Sequence, residues 1–97
     1  MSEAMSHDNP RSRPDLFSQP LADGSTVVFD PHTGTAHELN PVGALIWEYC
    51  DGEHSIEAIA AELHECFGVA LHDGRRDVQC FVDGLRQLAL LAVEAVA

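Results

Sequence analysis

Six histidines, three cysteines and sixteen carboxylates in 97 residues raise metal binding as the first chemistry to weigh. Zinc sites draw on thiolates or imidazoles spaced so that one turn or one loop presents two of them together. Here Cys50, Cys66 and Cys80 lie 16 and 14 residues apart, with no CxxC between them. His64 and Cys66 are alternates, which on a helix point to different faces. Nucleophilic catalysis needs a Ser or Cys beside a base, but no GxSxG, GxGxxG or HExxH occurs. Ser55, the best-placed serine, reads as a helix cap. The three thiols are expected to be reduced and to act as small buried hydrophobes. The expectation is a protein that is not an enzyme, with no metal and no cofactor.

Charge narrows the remaining choices. All five basic residues are arginines, and from Asp15 to Gly74 there are eleven acidic residues and no Lys or Arg. Arg11 and Arg13 cancel Glu3 and Asp8, while Arg75, Arg76 and Arg86 cancel Asp77, Asp83 and Glu94. The net charge of −11 therefore belongs to the middle of the chain. Such a surface repels phosphate and leaves sequence-independent nucleic-acid binding little to work with. The longest apolar run, Leu88 to Val93, is too short to span a bilayer. With no secretory signal pattern, the chain is expected to be soluble and cytoplasmic. Against this acidic background one stripe stands out. At 100° per residue, Arg75, Gln79, Val82 and Arg86 line up along a third helix with Asp83 at their border, forming a local positive edge.

These residues need elements to position them. Residues 1–14 have no apolar periodicity and read as a disordered lead-in, leaving 15–93 as the domain. Leu16–Leu21 suits a short strand that Pro20 confines to an edge. Thr26–Phe29 is β-branched and aromatic, hence a strand. Asp30–Pro31–His32–Thr33–Gly34 supplies a hairpin loop, and Thr35–Leu39 the return strand. That strand offers only Ala36 and Leu39 as apolar residues, so it has little reason to lie inside a sheet. The period then changes to 3.6. Asn40 caps and Pro41 opens a helix whose stripe is Val42, Leu45, Ile46 and Tyr49, with Trp47 beside it; Asp51–Gly52 stops it. Ser55 caps a second helix with the stripe Ile56, Ile59, Ala60, Leu63 and Phe67, ended by Gly68. Asp73 would cap a third, with Val78, Phe81, Val82, Leu85, Leu88, Ala89 and Ala92 inward. The fold class is α+β and winged-helix-like: an N-terminal three-stranded antiparallel sheet or hairpin followed by three helices.

The run His37–Glu38–Leu39–Asn40–Pro41–Val42–Gly43–Ala44–Leu45–Ile46–Trp47–Glu48–Tyr49–Cys50–Asp51–Gly52 resembles the core of PqqD-like proteins. The linked Leu-Asn, Ile-Trp and Asp-Gly elements carry that resemblance. Ser55–Ile59, Phe67–Gly68–Val69, Asp77–Val78, Phe81–Val82 and Leu85 continue it, so that it covers residues 16 to 91. It implies a RiPP recognition element, a non-catalytic chaperone for the leader of a ribosomally made precursor peptide. It further implies that the leader adds as a strand to Thr35, Ala36, His37, Glu38 and Leu39, in a groove facing Arg75, Gln79, Val82, Asp83 and Arg86. Many leaders are acidic, which would suit the arginines. The implied partners are the precursor peptide and a modifying enzyme such as a leader peptidase or radical SAM enzyme. PqqD proper usually carries a Gly-Trp after helix 3, whereas this chain reads Leu88–Ala89–Leu90–Leu91–Ala92–Val93. That departure points away from pyrroloquinoline quinone and toward another class, such as lasso peptides. The alternative is a winged-helix DNA-binding regulator, whose recognition helix and wing should be basic.

Overall fold

The computed structural model describes residues 9–92. Strands β1 (Phe17–Pro20), β2 (Thr26–Asp30) and β3 (Thr35–Leu39) are followed by helices α1 (Pro41–Glu48), α2 (Ile56–Phe67) and α3 (Leu71–Gln87). The sheet is antiparallel with the order β1-β2-β3, so the three-stranded form of the expected α+β fold is the one adopted. Alternation sets its two faces. Thr26, Val28, Asp30 and Leu39 are buried on the helix side, while Phe17, Phe29 and Ala36 share the exposed face. In the hairpin loop the Gly34 amide donates to the Asp30 carbonyl at 2.8 Å. Gly34 sits at φ 73°, a left-handed conformation that glycine takes without steric cost.

The helices start where their caps allow. Asn40 Oδ1 accepts the Gly43 amide at 2.7 Å, and Ser55 Oγ accepts that of Ala58 at 3.1 Å. Each satisfies a donor the first turn would otherwise leave unpaired. The core gathers Val28, Leu39, Ile46, Trp47, Ile59, Leu63, Val78, Val82, Leu85, Leu90 and Leu91. Trp47 is thus a core residue, only 7 % exposed.

Several sequence expectations are corrected. The lead-in of 1–14 gives way to a strap at residues 9–13, while residues 1–8 lie outside the described part. Ser12 N–H donates to Cys50 O (2.8 Å), Gly52 N–H to Pro10 O (2.9 Å), Arg13 N–H to Leu90 O (3.1 Å) and Ala92 N–H to Arg11 O (2.7 Å). The strap ties down the exit of α1, which ends at Glu48 rather than at Asp51–Gly52. Asp73 does not cap α3. That helix begins at Leu71 behind Ala70, with Asp73 in its first turn, where a carboxylate suits the positive end of the helix dipole. Nor does the apolar stripe of α3 run on through Ala92. Leu88 is 52 % exposed and Ala89 turns left-handed at φ 61°, which sends Leu90 and Leu91 back into the core. Phe67, placed inward by periodicity, lies at the end of α2 and is 45 % exposed. Of the three thiols only Cys50 is buried; Cys66 and Cys80 are exposed.

Arg13 locks this end of the molecule. Its guanidinium reaches Asp15 at 2.6 Å, Asp30 at 3.2 Å and the Ala89 carbonyl at 2.7 Å. Its hydrogen bond holds the Asp15 carboxyl below the usual carboxylate range. For Asp30, burial pushes upward, but the His32 amide and Arg13 together hold the carboxyl low.

Candidate functional site

With β2 in the centre, β1 and β3 are both edges, and their chemistry differs. Pro20 pairs with Thr26 but has no N–H, so that pair cannot exchange two backbone bonds. Bonded pairs alternate along a strand, so Thr26 and Val28 must bond in the other direction, to Leu39 and His37. The amides and carbonyls of Ala36 and Glu38 then face the open side of β3. Among the described residues this edge is unpaired, and β3 has no proline or bulge to blunt it.

A groove of about 470 Å³ lies beside that edge, lined by Glu38, Leu39 and Asn40 from the end of β3, Val42, Gly43 and Ile46 from α1, and Asp77, Cys80 and Phe81 from α3. Its floor is apolar and closely fitted: a Cβ on Gly43 would come within 2.8 Å of the Phe81 ring. Its acidic residues are Glu38, whose side chain belongs to the exposed face of the sheet through its pairing with Val27, and Asp77 on the α3 wall beside Cys80.

The expected site residues divide. Thr35, Ala36, His37, Glu38 and Leu39 form β3 as anticipated, and Glu38 and Leu39 line the groove. The α3 residues named from the sequence do not line it. Val82 is fully buried in the core. Arg75 lies 3.4 Å from Glu57 of α2. Gln79 donates to Asp83 at 3.1 Å, and Arg86 reaches the same carboxylate at 3.4 Å. Two surfaces flank the buried stripe of α3. The one facing the strand is Asp77–Cys80–Phe81, whose spacings of three and four were visible in the sequence; which flank meets β3 depends on how α3 packs. Among the described residues no group of His, Cys, Asp or Glu could hold a metal ion, and no helix is long and apolar enough to cross a membrane.

Comparison with known proteins agrees with this architecture. The fold is similar to TbiB1 in complex with the TbiA(beta) leader peptide, with TM-score 0.76 and 24 % identity over 89 % of this chain and 99 % of that one. It is equally similar, at TM-score 0.76 and 26 % identity over 88 % of this chain and 99 % of the other, to lasso peptide synthetase B1 complexed with the leader peptide. The heterocyclase TruD shares the fold at TM-score 0.63 and 13 % identity, over 92 % of this chain and 12 % of its own length. No curated protein matches significantly. The family model described as coenzyme PQQ synthesis protein D (PqqD) matches residues 25–91, and the chain belongs to the PqqD family.

Proposed function

We propose that the protein is a non-catalytic recognition element. It binds the leader of a ribosomally made precursor peptide by strand addition to β3 and presents it to a modifying enzyme. The observation that carries this reading is the open β3 edge set against an apolar groove whose far wall is α3. A strand laid along Ala36 and Glu38 would gain backbone bonds from the edge and selectivity from the groove, which is how sheet edges recognise extended peptides. The strand half of the site is Thr35–Leu39. On α3 the contacts fall to Asp77, Cys80 and Phe81, with Gln79, Asp83 and Arg86 on the neighbouring face. The solved relatives bound to leader peptides support the same reading, and the lasso-type relatives favour that peptide class over quinone synthesis.

The DNA-regulator alternative loses its main support in α3. A recognition helix should be basic, yet α3 carries Arg75, Arg76 and Arg86 against Asp73, Asp77 and Asp83.

The test is a fluorescence titration with the leader of a candidate lasso-type precursor peptide, and circular dichroism as a check on folding. Ala36→Pro removes an outward amide without touching the β2 ladder. Losing a backbone bond of about 0.5–1.5 kcal/mol should weaken binding up to about tenfold. No binding by the wild type, or wild-type affinity in both Ala36→Pro and Glu38→Pro, would end the strand-addition reading.

A further inference from the structure

We infer that the leader this groove accepts is cationic beside an apolar anchor, and that Glu38 and Asp77 set that preference. The inference rests on the strand-addition reading above and reverses the acidic leader that the arginines of α3 suggest in the sequence. Those arginines are already engaged. Arg75 pairs with Glu57, Arg76 with Asp73 and Arg86 with Asp83, at 3.4–3.5 Å. By contrast, Glu38 and Asp77 enter no ion pair among the described residues, and both are exposed.

The two carboxylates meet different faces of an added strand. Side chains alternate along a strand, so one set of peptide side chains enters the groove against Ile46 and Phe81, where Asp77 lines the α3 wall. The other set lies on the exposed face of the sheet, to which Glu38 belongs through its pairing with Val27. A residue directly across from Glu38 on that face is a cross-strand neighbour; opposite charge there is favourable and like charge unfavourable. Both faces of the peptide therefore meet a carboxylate that has no ion pair among the described residues. The long-range field acts in the same sense, because the eleven carboxylates between Asp15 and Gly74 are accompanied by no Lys or Arg. A Lys- or Arg-bearing leader is steered in and an acidic one held off.

The test uses a phage-displayed random dodecapeptide library panned on the immobilised protein, followed by titration of the enriched peptides. Enrichment of Lys or Arg beside an aromatic or aliphatic residue is expected. Charge reversal at both positions (Glu38→Lys with Asp77→Lys) should weaken the enriched peptides about three- to tenfold at low salt. The loss should shrink as salt rises, and changing the peptide's Lys or Arg to Glu should restore binding. The neutral pair Glu38→Gln with Asp77→Asn should fall between, and thermal melting confirms that each variant folds.

An enriched pool without cationic excess, whose peptides still weaken on Ala36→Pro, overturns the charge preference and leaves strand addition standing. Equal binding to wild type and the reversed variant does the same. Peptides indifferent to Ala36→Pro overturn strand addition itself, and a pool that never enriches overturns both.

Discussion

Asp30 and Glu38 stand near opposite ends of one hairpin and meet different surroundings. Asp30 closes β2, is 4 % exposed and is gripped by Arg13, which also holds Asp15 and the Ala89 carbonyl. Glu38, on β3, lies at an edge where, among the described residues, no strand pairs and no cation forms an ion pair with it. The strap side of the molecule has its backbone donors and acceptors engaged by residues 10–13; the groove side leaves the same kinds of group open beside an apolar floor. The first arrangement holds the chain to itself, and the second is where the proposed strand addition would take place. Changes on the strap side should therefore move stability, and changes on the groove side should move binding.

The largest effect is expected from the core beneath both regions. Trp47→Ala should cost about 3–5 kcal/mol in denaturant unfolding, with leader binding lost only in proportion to the unfolded fraction. A variant of unchanged stability that no longer binds would move Trp47 out of the core and into the recognition surface.

Two glycines separate the regions more finely. Gly52 sits at φ 82° under Arg11, whose guanidinium would lie 2.7 Å from an added Cβ. Gly52→Ala should cost about 1–2 kcal/mol for the left-handed backbone and leave affinity alone. Gly43→Ala meets the Phe81 ring instead. Overpacking of about 1–3 kcal/mol is partly offset by the better helix former, worth up to about 1 kcal/mol, yet the displaced ring should impair the groove. If Gly43→Ala binds normally while Gly52→Ala does not, the roles of the two regions are exchanged.

A smaller effect follows from the clamp's acidity. The Asp15 and Asp30 carboxyls are held below their unfolded value, so their contribution is complete above the ordinary carboxylate range. It is lost as pH falls from that range through the folded values. Melting temperature against pH should fall on the acid side in the wild type and less steeply in Arg13→Gln. Parallel acid limbs would show that Arg13 does not hold these carboxyls.

The thiols provide a test that leaves stability untouched. Burial, with Asp51 adding to it, pushes Cys50 up to about 12, so a thiol reagent should find Cys66 and Cys80 fast and Cys50 slow. Saturating leader should shield Cys80, in the groove, and leave Cys66 as reactive as before; a Cys66→Ser variant assigns the two. An unshielded Cys80 would place the peptide elsewhere.

The sequence carried most of what is local. Asn40 with Pro41, Ser55 and Gly68 mark helix ends through chemistry confined to a few residues, and the β2–β3 loop does the same for the hairpin. What escaped is non-local. The strap has no periodicity because it is held by backbone groups of Cys50, Gly52 and Leu90, which no pattern in residues 9–13 announces. The turn at Ala89 carries no glycine to mark it. A helical projection found the inward stripe of α3, but could not say which flank would meet β3. Charge singles out the arginine flank, whereas the groove is lined by Asp77, Cys80 and Phe81. The three cysteines looked alike because burial of a thiol is decided by the neighbouring element.

The strap also fixes where the two outermost described segments meet. Arg11 bridges Asp51 and Ser12 bridges Leu91, so residues 9–12 and 90–92 run together beside the last turn of α1. The groove opens at the other end of that helix, at Asn40, Val42 and Gly43, about 12 Å away for eight residues. The paired segments 9–12 and 90–92 therefore lie on the side of α1 away from the open β3 edge. A peptide added to β3 would meet neither of these segments, so strand addition and the tie between them are separable.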